Sequence, residues 1–251
     1  MTDERPAARL RAVFLDIGDT VIRPEPSWEH IYAIAFQEYG VTVELEPLSA
    51  ALRRAYHHGG FGFQDGFEAS EETSFARTME IDRAALAELG IDPMSEPFFR
   101  RLSELFMLTT NWHVFPDALP ALAELRARGL VIGAVSNWVW HLPRLLEALD
   151  LAPRFDFIAA SSRVGFEKPN PGIFRWALAQ ADVDAGEAIH VGDHLHADVE
   201  GARRVGIAPV LMDRRDRFLP VDLAPGTPLI RSLAELIPIV DARLAAGVAG
   251  R

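Results

Sequence analysis

Residues 12–20, which read AVFLDIGDT, join a short apolar run to acidic and small residues. The run from Ala12 to Asp16 is too short for a helix, and its apolar side chains predict a buried strand. Gly18, Asp19 and Thr20 follow the end of that strand. Because ligands of open parallel sheets bind beyond the carboxyl ends of the strands, this segment predicts a functional site at one edge of a sheet.

The chain after residue 110 alternates short apolar runs with amphipathic segments. The apolar runs predict strands at residues 130–135, 155–160, 188–191 and 207–212. The amphipathic segments predict helices at residues 116–128, 138–149, 171–181 and 196–205. A repeated order of strand, helix and strand predicts a parallel sheet with right-handed crossovers and helices on both faces.

Residues 24–110 form a second zone, which holds 15 acidic residues and six arginines and so has a net charge of −9. Apolar residues at helical spacing predict helices at 28–39, 49–58, 72–89 and 97–107. Segment 57–67, rich in glycine and phenylalanine, is predicted to be a loop that either closes over a ligand or is a flexible insert. The predicted fold class is α/β: a Rossmann-like parallel-sheet core, residues 1–23 and 111–251, with an inserted α-helical domain, residues 24–110.

The overall composition excludes several classes of protein. The 251 residues include 25 basic and 36 acidic side chains, a net charge of −11, and no cysteine. The absence of cysteine excludes disulfides and thiolate metal sites, and the acidic balance argues against nucleic acid as a partner. The longest apolar stretches have about six to eight residues, whereas a membrane-spanning helix needs about 20. Residues 1–16 carry acids and arginines without an apolar signal core, which predicts a cytoplasmic protein.

Polar residues follow several of the predicted strands. Ser136 and Asn137 follow the second strand, Asp193 follows the fourth, and Asp198 lies five residues further on. Lys168, the only lysine in the chain, precedes the helix predicted at 171–181. Each residue has an ordinary structural interpretation as a turn former, helix cap or solvated side chain. Their convergence on one sheet edge favours a shared site instead.

These motifs together resemble those of a known family. In chain order they are Asp-x-x-x-Thr after a strand, Ser-Asn after a strand, Lys-Pro-x-Pro, and Gly-Asp-x-x-x-x-Asp-x-x-Gly-Ala. The set is similar to that of the haloacid dehalogenase-like hydrolase superfamily. The resemblance covers nearly the whole chain and places residues 24–110 where that family inserts a helical cap domain.

The resemblance implies phosphoryl transfer through an aspartyl-phosphate, with Mg²⁺ as the cofactor and a small phosphorylated metabolite as the substrate. A carboxylate that attacks phosphorus divides one difficult displacement into two easier ones. Oxygen ligands suit Mg²⁺, and a compact ammonium suits a crowded anionic site better than the planar fork of arginine. The implied site residues are Asp16, Lys168, Ser136 and Thr20 for catalysis, Asn137 for substrate binding, and Asp16, Gly18, Asp193 and Asp198 for the metal, with Asp198 orienting the metal site from nearby.

One position departs from the family pattern. Most phosphatases of the family read Asp-x-Asp-Gly-Thr, and the second aspartate protonates the leaving group, but this chain has Gly18 at that position. The backbone carbonyl that the metal needs is retained, whereas the general acid/base is lost. Asp19 is one residue too late to replace it without turning its side chain away. A slow or selective phosphatase is therefore the first interpretation.

Two alternatives remain open. In a metal-free 2-haloacid dehalogenase the second aspartate is also missing, although retention of Asp193 argues against that activity. A phosphate-binding homologue without turnover would keep the same fold and the same anion contacts. Schiff-base chemistry of the phosphonoacetaldehyde type is excluded, because no residue from 24 to 110 is lysine.

His194 and His196 are predicted to be helix-start or surface residues, and the five tryptophans are predicted to be packing residues. The oligomeric state is not determined by the sequence.

Overall fold

A six-stranded parallel sheet forms the centre of the chain. The computed structural model describes residues 9–58, 66–91, 93–218 and 223–249. Along the sheet the order is β5 (Phe157–Ala160), β4 (Val131–Ser136), β1 (Ala12–Leu15), β6 (Ala188–Gly192), β7 (Ala208–Met212) and β8 (Leu229–Ile230). All neighbouring pairs are parallel, which confirms the predicted α/β class. The two-residue β8 was not predicted, because so short a strand leaves no periodic signal.

Helices cover both faces of the sheet. Val13 and Leu15 point to one face, whereas Ala12 and Phe14 point to the other, as alternation along a strand requires. The first face packs against α5 (Ala118–Ala127), α6 (Leu142–Ala148) and α10 (Leu236–Ala249), and the second against α8 (Pro171–Ala181) and α9 (Gly201–Arg204). This region also contains the short helix α7 (Ser161–Val164) and a π-helix (Leu195–Glu200).

Four helices between β1 and the rest of the sheet have a hydrophobic core of their own. They are α1 (Trp28–Glu38), α2 (Leu45–His58), α3 (Glu71–Glu88) and α4 (Glu96–Phe106). The chain enters and leaves them through an antiparallel pair, β2 (Ile22–Pro24) and β3 (Trp112–Val114). This pair was not predicted, because three residues are too few to show strand alternation. The domain boundaries after residues 23 and 110 stay a prediction, and most of the predicted loop at 57–67 lies outside the described residues.

Three predicted helices differ from those observed. Helix α2, predicted from residue 49, begins four residues earlier, at Leu45. The helix predicted from Trp138 begins at Leu142, because Pro143 lacks a backbone donor and occupies the first turn. The helix predicted at 196–205 is a π-helix followed by α9. Its first turn is capped by the side chain of His194, which accepts a hydrogen bond from the backbone nitrogen of Ala197.

A buried carboxylate, that of Asp82, lies among the four helices α1–α4, which are called the cap below after the domain that the resemblance predicts. Its Oδ1 accepts hydrogen bonds from the hydroxyls of Tyr32, at 2.6 Å, and Tyr56, at 3.0 Å. Burial raises the pKa of Asp82 to about 7, even though both hydrogen bonds favour the charged form. Between about pH 4 and 7 the folded state therefore holds a proton that the unfolded state has released. The contribution of Asp82 to stability falls as the pH rises through that window.

Replacement of Asp82 by asparagine keeps an oxygen acceptor for the two tyrosines and removes the titration. We expect the melting temperature of Asp82→Asn, relative to wild type, to rise as the pH increases from 5 to 8. Thermal unfolding followed by circular dichroism at both pH values measures this difference. Glu80→Gln, at an exposed position of the same helix, is the control. A difference in melting temperature that does not change with pH would show that Asp82 does not titrate in this window.

Candidate active site

Asp16 lies at the carboxyl end of β1, and its carboxylate is held by two donors. Its backbone nitrogen donates to the carbonyl of Val191, which fixes the residue to the neighbouring strand. Oδ1 accepts hydrogen bonds from Ser136 Oγ at 2.8 Å and from Lys168 Nζ at 2.7 Å. Among the described residues no donor reaches Oδ2. One carboxylate oxygen is therefore fixed, and the other is open to a ligand.

Lys168 connects two carboxylates beneath the edge of the sheet. The side chain is buried, with 2% exposed, and its Nζ lies 2.7 Å from Asp16 Oδ1 and 2.6 Å from Asp198 Oδ1. Burial by itself would lower the pKa of Lys168, but the two aspartates reverse this and raise it. Burial raises the pKa of Asp16, against the opposing effect of Lys168. The lysine is therefore a permanent positive charge next to Asp16.

Asn137 fixes the backbone of Lys168. Its Nδ2 donates to the Lys168 carbonyl at 2.8 Å, and its Oδ1 accepts from the Lys168 nitrogen at 2.7 Å. Both ends of the amide are thus engaged, and the predicted contact of Asn137 with substrate stays a prediction. Thr20 is fully buried, and its hydroxyl has no hydrogen-bond partner among the described residues. Its predicted contact with a phosphoryl oxygen also stays a prediction.

Asp198 is fixed through both carboxylate oxygens. Oδ1 accepts from Lys168 and lies 2.9 Å from His190 Nε2, while Oδ2 accepts from the backbone nitrogen of His194. Burial opposes the charged form, but Lys168 and His190 outweigh it and lower the pKa of Asp198. A Cβ on Gly192 would lie 2.1 Å from the Asp198 carboxyl carbon, so only glycine leaves room for it. These contacts favour an orienting role over direct metal ligation.

His190 was missed by sequence reasoning. It is the only polar residue in the apolar run 188–191, and a single histidine in such a run usually indicates a packed core position. Its side chain is fully buried against Phe174, with the ring centroids 5.1 Å apart. Burial lowers the pKa of His190, so the ring is neutral when it contacts Asp198. Its separation of eight residues from Asp198 gives no sequence signal.

Three aspartates lie close enough together to share a cation. One carboxylate oxygen from each of Asp16, Asp193 and Asp198 lies within 4.8 Å of the others. Burial raises the pKa of Asp193 to about 7, helped by the charges of Asp16 and Asp198 and opposed by Arg217. Arg217 donates to both the carbonyl and Oδ2 of Asp193 at 3.0 Å. The three carboxylates outnumber their two cationic partners, Lys168 and Arg217, and a divalent cation would offset the remaining negative charge.

The residues after β7 provide further arginines that the sequence motifs do not reveal. Arg215 pairs with Asp19 at 2.7 Å, so the carboxylate of Asp19 is already engaged. Arg214 donates to the carbonyl of Thr20 and forms a two-point contact with Asp117. These contacts connect the turn after β1 to the segment after β7, and Asp117 adds the start of α5.

Gly18 faces tryptophan rings. A Cβ at this position would lie 3.1 Å from Cζ3 of Trp138 and 3.9 Å from Cζ2 of Trp28. Trp28 begins helix α1, and Trp138 follows Ser136 and Asn137 after β4. The space beside Gly18, where the family pattern has an aspartate, is thus bordered by aromatic rings.

The cap contacts the core beside Lys168. Ser74 Oγ, on α3, accepts a hydrogen bond from the backbone nitrogen of Trp140 at 3.0 Å. Arg77, also on α3, pairs at 2.9 Å with Glu167, which directly precedes Lys168. Burial raises the pKa of Glu167 to about 7, against the opposing charge of Arg77. The loop that carries the lysine is therefore held from the cap side as well as by Asn137.

The family model for haloacid dehalogenase-like hydrolases matches residues 10–206 of this chain. The chain belongs to the haloacid dehalogenase-like hydrolase family. The family predicted from the sequence motifs is thereby confirmed, and the chain is a hydrolase by family. No helix of the described residues has the length and apolar character needed to span a bilayer.

Relatives of this hydrolase share most of its length. The human haloacid dehalogenase-like hydrolase domain-containing protein 3 is 30% identical over 237 residues, 93% of this chain and 94% of the relative. Phosphoserine phosphatase of Thermus thermophilus is 38% identical over 140 residues, 53% of each chain. A solved magnesium-bound haloacid dehalogenase-like hydrolase of Bacillus subtilis superposes with a TM-score of 0.71 at 21% identity, covering 93% of this chain and 99% of that one. The last similarity bears on the fold alone.

Proposed function

We propose that this hydrolase is a Mg²⁺-dependent phosphatase of a small phosphorylated metabolite and that it acts through an aspartyl-phosphate on Asp16. The observation that carries the proposal is the asymmetry of the Asp16 carboxylate. Ser136 and Lys168 hold Oδ1, while Oδ2 has no donor among the described residues. An oxygen that is held in place but not hydrogen bonded is a suitable nucleophile. Phosphatases among the relatives support the assignment.

The donor set fits Mg²⁺. Asp16, Asp193 and the Gly18 carbonyl offer only oxygen ligands, which Mg²⁺ prefers. Asp198, whose two oxygens are engaged by neighbouring groups, would orient the site without direct ligation. When bound, the ion would neutralise negative charge on the substrate phosphate as a Lewis acid. These assignments match the excess of buried carboxylates around one lysine.

The chain's own residues account for the first half of the reaction. Oδ2 of Asp16 attacks phosphorus, and the bond to the leaving oxygen breaks with its electron pair. Lys168 and the Ser136 hydroxyl hold Oδ1 and keep the carboxylate in position. Water then hydrolyses the aspartyl-phosphate and restores the carboxylate. Removal of a general acid typically lowers the rate by about 10² to 10⁴, so Gly18 makes the enzyme slow or selective.

Two alternatives are less well supported. In a dehalogenase that needs no metal, Asp193 would have no role. Its negative charge beside Asp16 and Asp198 would destabilise a site that holds no cation. A homologue without turnover gives no reason for the free Oδ2 of Asp16.

The distinguishing measurement is phosphate release from a panel of monoesters and acyl phosphates, with Mg²⁺ and with EDTA. We expect release only with Mg²⁺. Chloride release from 2-chloropropionate in EDTA would favour the dehalogenase.

Restoring the acid at Gly18 tests the account of the missing group. We expect Gly18→Asp to raise kcat for glycerol phosphate by about tenfold or more, because an alkoxide leaving group needs a proton. The new Cβ requires Trp138 to move by a few tenths of an ångström. Gly18→Ala introduces the same crowding without a carboxyl and is the matched control. Equal rates for the two variants, both folded and both binding Mg²⁺, would contradict this explanation.

A further inference from the structure

We propose that the leaving-group side of this active site is an aromatic subsite and that the substrates are aryl phosphate monoesters, in which phosphate is attached to a phenol-type oxygen. The inference rests on the proposed phosphatase function and specifies its substrate class. Two observations carry it. Gly18 supplies no proton donor, and tryptophan rings border the place where that donor would project.

Three tryptophans form a connected aromatic cluster at this position. The rings of Trp28 and Trp138 have centroids 5.8 Å apart and are tilted by 56°. Trp112 contacts both, with centroid distances of 5.3 Å and 5.4 Å. Trp112 is 7% exposed, whereas Trp28 and Trp138 are only half-buried. The buried ring therefore fixes two rings that keep part of their surface accessible.

The cluster connects the phosphate end of the site to the cap. Trp138 lies two residues after Ser136, whose hydroxyl binds the nucleophile Asp16. Trp28 begins α1, the first cap helix, and also contacts Phe106 at the end of the cap with a centroid distance of 5.8 Å. Trp138 and Trp28 lie beside Gly18, two residues after Asp16, so we expect a group attached to a phosphate at Asp16 to lie next to these rings. Aromatic rings bind one another in offset or tilted arrangements, so a flat aryl group suits this wall.

The leaving group must also depart without help from an acid. When the bond between phosphorus and the leaving oxygen breaks, its electron pair stays on that oxygen. A phenol ionises near pH 10, like a tyrosine side chain, whereas an alkyl alcohol is close to water, at about 16. Phenoxide therefore leaves without protonation and takes its proton from solvent afterwards, and water supplies the oxygen that releases phosphate from Asp16. The balanced products are a phenol and inorganic phosphate.

Two other leaving groups satisfy only one of the two conditions. A quaternary ammonium alcohol would bind tryptophan faces and the acidic cap, whose residues 24–110 carry a net charge of −9, but it leaves as an alkoxide. An acyl phosphate has an excellent leaving group but no aromatic surface. An aryl ester satisfies both conditions.

The test compares five substrates with the full chain and Mg²⁺. Phenyl phosphate and benzyl phosphate are both aromatic, but only phenyl phosphate has a good leaving group. Acetyl phosphate has a good leaving group without an aromatic ring. Glycerol phosphate has neither an aromatic ring nor a good leaving group. Phosphocholine represents the cationic alternative. We expect kcat/KM for phenyl phosphate to exceed that for benzyl phosphate, glycerol phosphate and phosphocholine by about 10² or more. The KM for phenyl phosphate should be about tenfold below that for acetyl phosphate.

Variants of the cluster locate the effect. Trp138→Leu should raise KM for phenyl phosphate about tenfold more than KM for acetyl phosphate, and Trp28→Leu should act in the same direction. Trp176→Leu is the control, because that ring packs in a different cluster, 5.9 Å from Phe157. It should leave the ratio of the two KM values unchanged. Using two variants keeps the test decisive if one of them does not fold.

The outcomes separate the inference from the function on which it rests. If acetyl phosphate is hydrolysed in an Asp16-dependent way but phenyl phosphate is no better than glycerol phosphate, the aryl subsite is wrong and the phosphatase stands. If phosphocholine is hydrolysed fastest, the aryl subsite is likewise wrong and the phosphatase function stands. If none of the five substrates releases phosphate, both proposals fail.

Discussion

Asp16→Asn is expected to lower kcat for phosphate release by a factor on the order of 10⁴ to 10⁶, the range seen when an enzyme loses its nucleophile. The amide keeps an oxygen that accepts from Ser136 and Lys168, so the geometry of the site is preserved. It lacks the anionic Oδ2 that attacks phosphorus. The loss is therefore one of chemistry and not of folding. Phosphate release under single-turnover conditions measures it.

The phosphorylated intermediate gives a second readout. Wild-type enzyme quenched in acid during turnover should carry one phosphoryl group on the peptide containing Asp16, and Asp16→Asn should carry none. Asp19→Asn is the matched control, because Asp19 is in the same turn but pairs with Arg215. This variant should keep most of the activity. Unchanged turnover in Asp16→Asn would show that the nucleophile is misassigned.

Lys168→Met is expected to reduce the free energy of unfolding by about 3 to 5 kcal/mol at neutral pH. The lysine is 2% exposed and binds two buried carboxylates, so its removal leaves Asp16 and Asp198 without a countercharge. The same variant should lose measurable phosphatase activity, because Asp16 then loses one of the two donors that position it. Chemical denaturation and phosphate release measure the two effects.

The stability loss in Lys168→Met should depend on pH in a defined direction. Lys168 holds the pKa of Asp198 below the ordinary aspartate value of about 4. The pairing therefore stabilises the folded wild type fully above about pH 4, and this stabilisation is lost as the pH falls below that value. In the variant the buried acids prefer to be protonated, so stability rises as the pH falls. The difference between the two proteins should therefore shrink from pH 7 to pH 4. A constant difference would contradict the charge argument.

Two further variants complete the comparison at Lys168. Lys168→Arg keeps the charge but replaces a compact ammonium by a planar fork, and we expect it to retain more stability than Lys168→Met while still losing activity. Arg100→Met removes an exposed cation from an ion pair with Glu96 on α4. Exposed pairs contribute at most about 1 kcal/mol, so this control should stay close to wild type. A loss in the control comparable to that in Lys168→Met would mean that burial is not the cause.

The fold could be predicted from the sequence because the patterns that indicate its strands and helices are local. Runs of four to six apolar residues between amphipathic segments predict buried strands wherever they occur, and β1, β4, β6 and β7 lie within a residue of their predicted positions at most boundaries. Elements without a local signal were missed. The pair β2 and β3 has three residues in each strand, and β8 has two.

The sequence by itself determined the family, the acidic and lysine residues at the sheet edge, and the absence of an aspartate at position 18. Only the tertiary structure decided which atoms meet. Lys168 and Asp16 are 152 residues apart, and Ser136 and Asp16 are 120 apart, yet all three share one carboxylate oxygen. The roles of His190 and of the rings beside Gly18 also depend on such contacts. Periodicity and motif spacing describe neighbours along the chain, whereas a site is made of neighbours in space, and these are set by how the strands and the cap pack.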